Sequence, residues 1–482
     1  MTRLDCVVHS ATELVVGPAT RTASISDVAD SEDATSAPPH PGGDGPPDDP
    51  DAVLDRIENG AVAVADGAVV AVGPTDEVVR EYPPANAAHA VDASGRAVLP
   101  GFVDSHTHAV FAGDRSDEFA AKLRGRSYQE IMDEGGGILR TVRATRQTET
   151  ETLLEKLLDR LDVMLAAGAT TVEVKSGYGL DPETEARMLA VVSLAGERHP
   201  VRLVPTFMGA HATPPAFDSA SAYVDHVIDD QLPAVADDAV FCDVFCEAGV
   251  FSVADSRRLL EAGADAGLVP TIHAEEFERI GGAQLAADSN AVSADHLLQA
   301  TDEDATALAD AGVVPTLLPG TAFALGTDYA DPRRFLAAGS EVAVATDFNP
   351  NCYAPGASFA ATLASVGMGL SPAESVRACS YAGGVALGAD DPRVPDDVVP
   401  AGSGTLKPGA PGDLLVLTAP SHAHVAYRFD ESPVELAFVG GDLAYARDPG
   451  VRRVDVSERN GGIPRSETTD RRGTDARERN DQ

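Results

Sequence analysis

This chain of 482 residues is short of positive charge, and above all of lysine. It has 36 Lys and Arg against 76 Asp and Glu, so its formal net charge is −40. Lysine occurs only at positions 122, 156, 175 and 407. Because a nucleic-acid-binding surface must present a basic face to phosphate, this balance argues against a nucleic acid as partner.

Long apolar runs and paired cysteines are also missing. No apolar run reaches the roughly 18 residues that a membrane span requires, and no basic flank precedes an apolar core near Met1. Five cysteines in a chain of this length do not make a disulfide framework, and Cys242 and Cys246 are interpreted as packing residues of a strand. The chain is therefore predicted to be cytoplasmic, with reduced thiols and no membrane partner.

Composition divides the chain into parts. Near the N-terminus, Asp66-Gly67 between alternating apolar runs predicts a hairpin. A segment at about 22–54, rich in Asp, Ser, Pro and Gly, is predicted to be a disordered acidic insertion. The predicted parts are an N-terminal strand-rich part, a central domain, a second strand-rich part and a disordered polar tail, at residues 1–97, 98–390, 391–450 and 451–482.

In the central domain, apolar runs of strand length alternate with helical patterns, such as those at 151–167 and 255–266. Eight strands alternating with helices in about 250 residues favour an α/β fold, a (β/α)8 TIM barrel. A doubly wound open sheet is the alternative. The eight predicted strands cover residues 98–106, 170–175, 201–208, 240–247, 269–273, 291–296, 313–318 and 342–347.

Histidines follow the predicted strands. Five of the 12 histidines lie at strand ends or just beyond them, and Asp347 ends the last strand. In a barrel all these strand ends meet at one mouth, and the period of two places the first two histidines on one side of their strand. The five are His106, His108, His211, His273 and His296.

Imidazoles and a carboxylate at one mouth predict a catalytic metal site that keeps a position open for water. Its predicted ligands are His106, His108, His273 and Asp347, and this donor set suits Zn²⁺ and also Fe²⁺. Such an ion lowers the pKa of water toward about 7 and so supplies a nucleophile at neutral pH. The alternatives are a chance pair of surface histidines at 106 and 108, or a hydrogen-bonded core histidine at 273 or 296. His296 also suits a role beside the metal.

Lys175 ends the second predicted strand. A lysine that carries CO2 bridges two metals in some enzymes of this kind, but that lysine is expected further along the barrel. The fourth strand ends in Cys246-Glu247, without a lysine. We therefore predict a single metal ion per chain.

Blocks of sequence from about residue 100 to 355 resemble, in order, those of the imidazolonepropionase family in the amidohydrolase superfamily. The most specific are Lys-Ser-Gly-Tyr-Gly at 175–179 and Phe-Met-Gly-Ala-His at 207–211. The glycines at 135–137 lack the Gly-Lys-Ser/Thr of a phosphate-binding loop and are interpreted as a loop near the mouth. The matching blocks are residues 101–108, 135–138, 173–180, 206–211, 273–276, 293–297, 318–321 and 345–350.

The resemblance implies a TIM barrel with a small β-sandwich built from both chain ends. It implies that the chain hydrolyses a small molecule, 4-imidazolone-5-propanoate, to N-formimidoyl-L-glutamate in histidine degradation. A homodimer is expected because dimers are the commonest assembly.

For this reaction, the predicted catalytic residues that move protons or polarise the carbonyl are Glu276, His296 and Asp347. Glu276 is also predicted to hold a ring N–H of the substrate. Arg115 suits the propionate carboxylate, although an ion pair with Asp114 or Asp117 is the alternative. The other predicted substrate-binding residues are Tyr128, Tyr178, His211, Asn349, Asn351 and Cys352.

Three of these substrate-binding residues are less directly supported. Tyr128 also suits ordinary packing in a helix. Asn351 and Cys352 stand where the family usually has Gly-Ser, so this chain departs from the family at the predicted product end of the pocket.

Two other functions stay open at this point. Another cyclic amidohydrolase or deaminase on the same barrel would keep the metal ligands but lack the Tyr178 block and the Arg115 anchor. A metal-free scaffold protein would be expected to have lost ligands, and here all four positions are filled.

The acidic, lysine-poor composition predicts that stability rises with salt, as in a halophilic protein. We expect a higher unfolding temperature in molar KCl than in about 0.1 M KCl, because salt screens the repulsion among the excess carboxylates. Circular dichroism during heating across a KCl series measures this. An unfolding temperature that stays constant or falls with salt would contradict the prediction.

Overall fold

The computed structural model describes residues 4–19, 52–126, 130–131 and 135–448. The acidic insertion predicted at about 22–54 falls mostly outside these ranges, and Tyr128 and the predicted tail at 451–482 fall wholly outside them. In the described ranges, no helix has the length and apolar composition needed to cross a bilayer.

Strands from both ends of the chain form one sheet, here called the terminal sheet. Its first strand pairs with the second on one side and with the fourth and fifth on the other. The fifth strand also pairs antiparallel with Leu414–Leu417, and so joins the two ends of the chain. In the described residues its strands are Leu4–Pro18, Leu54–Ala65, Ala68–Pro74, Ala87–Asp92, Ala97–Pro100, Leu414–Leu417, Val434–Val439 and Asp442–Ala446.

The terminal sheet folds over on itself. One buried apolar cluster takes Val8 and Val62 from the N-terminal strands and Val416 and Phe438 from the C-terminal strands. Because these strands lie apart in the order of the sheet, its two halves must face each other around this core. This agrees with the small β-sandwich expected from both chain ends.

The predicted hairpin is confirmed. Asp66 and Gly67 join Leu54–Ala65 to Ala68–Pro74, which pair antiparallel. Both turn residues have positive φ, 51° and 79°, as a two-residue turn between twisted strands requires.

The central strands form the predicted barrel. They pair parallel from the first to the eighth, and the seam is closed by a bridge between Thr107 and Phe348. Across this seam the amide of Asp347 donates to the carbonyl of His106 at 3.0 Å. The barrel strands are Phe102–Asp104, Ala169–Lys175, Arg202–Ala210, Phe241–Cys246, Val269–Ala274, Ser293–His296, Val314–Leu317 and Ala343–Val344.

Helices cover the outside of the barrel and flank the terminal sheet. Those predicted at 151–167 and 255–266 lie at Thr150–Ala166 and Val253–Asp265. Short 3₁₀-helices occur at Pro84–Asn86 and Ala236–Asp238, and a short π-helix occurs at Val227–Gln231. The α-helices in the described residues are Thr75–Glu81, Ser116–Leu123, Ile138–Gln147, Thr150–Ala166, Pro182–Arg198, Ala220–His226, Leu232–Val235, Val253–Asp265, Gly282–Asp288, Asp302–Ala311, Pro319–Leu325, Pro332–Ala338, Ala357–Val366, Pro372–Cys379, Tyr381–Ala386 and His424–Tyr427.

The prediction of one strand over 98–106 is wrong. The chain leaves the terminal sheet after Pro100 and enters the barrel at Phe102, so the boundary predicted between 97 and 98 falls inside a strand of the terminal sheet. Gly101 makes this crossing possible, because a Cβ there would lie 2.1 Å from the hydroxyl of Thr170. The last predicted strand is also shorter than expected, at Ala343–Val344.

Candidate active site

The closed seam brings three predicted ligands together. His106 and His108 alternate around Thr107, whose bridge to Phe348 keeps this segment extended beyond its short strand. Nε2 of His106 and Nε2 of His108 each lie 3.6 Å from Oδ1 of Asp347. The predicted placement of the two histidines on one side is therefore confirmed, although hydrogen bonds across the seam hold them rather than a long strand.

His273 completes this cluster. It lies in the fifth barrel strand, and its Nε2 is 3.3 Å from Nε2 of His108. Nε2 of His106 is buried without a hydrogen-bond partner, as are both ring nitrogens of His296. Imidazole nitrogens that converge in this way fit a metal ion, because a bound cation would satisfy lone pairs that otherwise face one another.

Burial favours the neutral form, which binds metal, at His106, His108 and His296. It is the largest cause that lowers the pKa of His106, His108 and His296 well below the usual value, and neighbouring positive charge lowers it further. Neutral imidazole is the ligand form that metals require. The electrostatics of the site therefore agree with its geometry.

Two buried carboxylates orient the histidines. Oδ2 of Asp295 lies 2.6 Å from Nδ1 of His106, and Oδ1 of Asp243 lies 3.0 Å from Nδ1 of His273. Burial opposes ionisation of Asp243, but His273 and Lys175 outweigh it and lower the pKa of that carboxyl. Because an ionised carboxylate only accepts hydrogen bonds, this contact places the proton on Nδ1 of His273 and leaves its Nε2 lone pair free for the cluster. Burial raises the pKa of Asp295 to about 7, and its contact orients the ring of His106.

Lys175 lies behind these two carboxylates. Its ammonium is 2.7 Å from Asp243, 2.9 Å from Glu173 and 3.9 Å from Asp295. Burial by itself would lower the pKa of Lys175, but the three carboxylates outweigh it and raise that pKa. A lysine carrying CO2 would instead place a negative charge among them, so the contacts agree with the prediction that Lys175 is not a bridging ligand.

Asp347 is held by its neighbours. The hydroxyl of Thr321 donates to its Oδ2, and the side-chain amide of Asn349 donates to its Oδ1 at 3.0 Å. Its backbone is left-handed, with φ 46°, a conformation that non-glycine residues adopt rarely. Burial raises the pKa of Asp347, while the bond from Thr321 lowers it.

His296 and Glu276 form another buried pair in the candidate site. Nε2 of His296 lies 3.8 Å from Oε2 of Glu276, and both residues are buried. Burial, together with the charges of Asp347 and Glu247, raises the pKa of Glu276 well above its usual value. Burial therefore favours the uncharged form of both members of the pair.

Tyr178 and His211 lie on the other side of His108. The ring of His211 stacks on that of His108, with centroids 4.9 Å apart, and its Nδ1 lies 3.1 Å from the carbonyl oxygen of Gly177. The ring of Tyr178 lies 5.2 Å from that of His211. Burial is the main reason that the pKa of His211 falls to about 3.

Arg115 forms an ion pair, but with neither predicted partner. Its Nε donates to Glu118 at 2.7 Å, and both side chains are buried, so the suggested surface pair with Asp114 or Asp117 is wrong. The amide of Gly137 donates to the other oxygen of Glu118 at 3.0 Å. The glycine loop therefore positions the carboxylate that holds Arg115.

Arg115, Asn351 and Cys352 line the same cavity, of about 490 Å³. The side-chain oxygen of Asn351 accepts a hydrogen bond from Lys122 at 2.6 Å. Cys352 is buried beside Gly320. The side-chain oxygen of Asn349 accepts hydrogen bonds from the backbone amides of residues 351 and 352, so Asn349 shapes this loop. Its contact with substrate stays a prediction.

Sequence reasoning missed the groups that support the ligands, namely Asp243, Asp295, Glu173 and Thr321. A signal was present, because three of these four are carboxylates within buried barrel strands. Inside a strand, however, spacing cannot tell which histidine a carboxylate meets across the barrel.

A parallel barrel with metal-binding side chains at the ends of its strands is the architecture of a metal-dependent hydrolase. The model of the amidohydrolase family matches residues 97–444. Imidazolonepropionases are similar over nearly the whole chain: that of Haloarcula marismortui is 56% identical over 92% of this chain and 96% of its own length. That of Symbiobacterium thermophilum is 47% identical over 77% of this chain and 86% of its own. The chain therefore belongs to the imidazolonepropionase family of amidohydrolases.

Solved structures show the same fold at much lower identity. Guanine deaminase from E. coli aligns with a TM-score of 0.65 at 14% identity, over 92% of this chain and 99% of its own. A mutant of the atrazine chlorohydrolase of Arthrobacter aurescens, solved with zinc and atraton, aligns with a TM-score of 0.62 at 15% identity, over 91% of this chain and 94% of its own. These likenesses concern the fold alone, so they do not favour the deaminase alternative.

His273 and His296 both lie close enough to His106 to hold an ion with it, so the predicted roles, His273 as a ligand and His296 beside the metal, need a direct test. We expect His273→Gln to abolish stoichiometric metal binding, because it removes an Nε2 directed at His108, whereas His296→Gln should keep the metal and lose turnover. Metal content per chain, measured by atomic emission after gel filtration, distinguishes the two variants. Metal loss in His296→Gln with full retention in His273→Gln would contradict the predicted ligand set.

Proposed function

We propose that this chain hydrolyses the cyclic amide of 4-imidazolone-5-propanoate and releases N-formimidoyl-L-glutamate in histidine degradation. The observation that carries the proposal is the convergence of buried imidazoles and Asp347 beside the His296–Glu276 pair. The names of the most similar relatives point to the same reaction. The reaction adds water across the bond between the ring carbonyl carbon and the adjacent nitrogen.

We propose one Zn²⁺ or Fe²⁺ ion per chain, held by His106, His108, His273 and Asp347. Such an ion supplies a Lewis acid and lowers the pKa of water toward about 7. Imidazole with carboxylate suits either ion. The unpartnered Nε2 of His106 and the close approach of His108 to His273 support this set.

Asp347 and His296 act on the water and the carbonyl group. Oδ1 of Asp347 is within 3.6 Å of both His106 and His108, so in this proposal it accepts the proton of the attacking water. His296 has unpartnered ring nitrogens and stabilises the oxygen on which negative charge develops.

Glu276 delivers a proton to the departing ring nitrogen. Burial raises the pKa of Glu276 well above its usual value, which favours the protonated state that a general acid needs. Before the reaction, the same carboxyl group holds a ring N–H of the substrate. Its position 3.8 Å from His296 keeps the two roles within reach of one substrate ring.

The propionate end of the substrate binds Arg115 in this proposal. Only Nε of Arg115 is engaged by Glu118, and a guanidinium offers further donors to a carboxylate. Tyr178 and His211 complete the substrate site on the side of His108. Tyr128, Asn349, Asn351 and Cys352 stay predicted contacts, as the homodimer and the cytoplasmic location stay predictions.

Hydrolysis of freshly prepared 4-imidazolone-5-propanoate tests the proposed function. We expect its ultraviolet absorbance to fall in molar KCl, a chelator to abolish the reaction and Zn²⁺ or Fe²⁺ to restore it. Hydantoins and dihydropyrimidines serve as control substrates, which should react far more slowly. A folded, metal-loaded protein that leaves the substrate intact would overturn the proposal.

Substitution of Arg115 tests the carboxylate anchor. We expect Arg115→Met to raise KM about 10- to 100-fold, since a hydrogen bond between charged groups contributes about 1.5–3 kcal/mol. The double variant Arg115→Met with Glu118→Gln should show the same KM, which separates substrate binding from the cost of a buried, unpaired Glu118. Arg80→Met, at an exposed position of the helix Thr75–Glu81, is the matched control. An unchanged KM in both site variants would remove Arg115 from the substrate site.

A further inference from the structure

One of the four lysines of this chain lies in its interior. Lys175 is 1% exposed and is among the largest fully buried side chains. Nearly all other basic residues are arginine, so the chain uses a lysine here against its general composition. A buried ammonium requires partners that compensate for its lost hydration.

The partners of Lys175 are the carboxylates that orient the ligands. Asp243 contacts Lys175 through Oδ2 at 2.7 Å and His273 through Oδ1 at 3.0 Å. The carboxylate thus bridges the ammonium and the imidazole with one oxygen for each.

Asp295 makes a similar link on the other side. Its Oδ2 lies 2.6 Å from Nδ1 of His106 and 3.9 Å from the ammonium of Lys175. One cation therefore lies behind two of the predicted metal ligands, although it touches neither of them.

We propose that Lys175 is a positioning residue of the metal site: its ammonium holds Asp243 and Asp295 in the orientations that direct Nε2 of His273 and His106 toward the metal. Without that ammonium, the two buried carboxylates lose the cation that holds them in place. His273 and His106 then lose the contacts that restrict rotation of their rings.

Lysine suits this position better than arginine. Its ammonium is compact and can approach three carboxylates from different directions, whereas a guanidinium is planar and larger. Glu173, the third carboxylate, contacts the ammonium at 2.9 Å and accepts the amide of Thr107 at 3.0 Å. The cluster therefore also reaches the segment that carries His106 and His108.

The inference rests on the proposed metal site, and metal affinity tests it. We expect Lys175→Met to weaken Zn²⁺ binding about 10- to 100-fold, the usual effect of losing groups that support metal ligands. Metal-free protein is titrated with Zn²⁺ in competition with a chromophoric chelator. Lys156→Met, at an exposed position of the helix Thr150–Ala166, is the matched control and should bind as the unsubstituted protein does.

The outcomes separate positioning from folding. Circular dichroism of the metal-free variants shows whether each is folded, and a folded Lys175→Met with unchanged Zn²⁺ affinity would overturn the inference. If that variant does not fold, Lys175→Met with Glu173→Gln, which removes one carboxylate charge together with the ammonium, decides in the same assay. The readout is Zn²⁺ binding, not hydrolysis. Absence of Zn²⁺ binding by the unsubstituted protein would overturn the proposed metal site. Equal Zn²⁺ binding by the unsubstituted protein and the folded Lys175→Met variant would overturn only this inference.

Discussion

The geometry of the site depends on how the barrel closes. The first and eighth strands are short, and backbone contacts beyond their ends complete the closure. Those contacts lie at residues 106–108 and 347–348, the segments that carry three of the predicted metal ligands. Closure of the barrel therefore also brings these three residues together, because each of them lies beside a backbone group that bonds across the seam.

Charge balance inside the barrel is the second requirement. Carboxylates at the barrel axis cost free energy on burial unless a cation or a hydrogen-bond donor meets them. Lys175 forms ion pairs with Glu173 and Asp243. The ring of His106 contacts Asp295, and the ring of His273 contacts Asp243. The interior is thus arranged in layers, with the lysine behind the carboxylates, the carboxylates behind the imidazoles, and the imidazoles around the proposed metal position.

Much of this arrangement was predictable because it follows short-range rules. Alternation of apolar runs with helical patterns predicted the barrel, and the position of histidines at strand ends predicted a common mouth. The exceptions have local causes. The first predicted strand is divided at Gly101, where the chain passes so close to Thr170 that only a glycine fits. Arg115 pairs with Glu118, whose other oxygen accepts the amide of Gly137.

The sequence by itself determined the fold class and the family and predicted the metal ligands, since these depend on periodicity and on motifs of consecutive residues. Only the tertiary structure decided which groups meet: Asp295 with His106 across 189 positions, Asp243 with His273 across 30, and Lys175 with both carboxylates. The physical reason is that side chains from different barrel strands converge on one axis. Their contacts depend on strand order, stagger and closure, which no single segment contains.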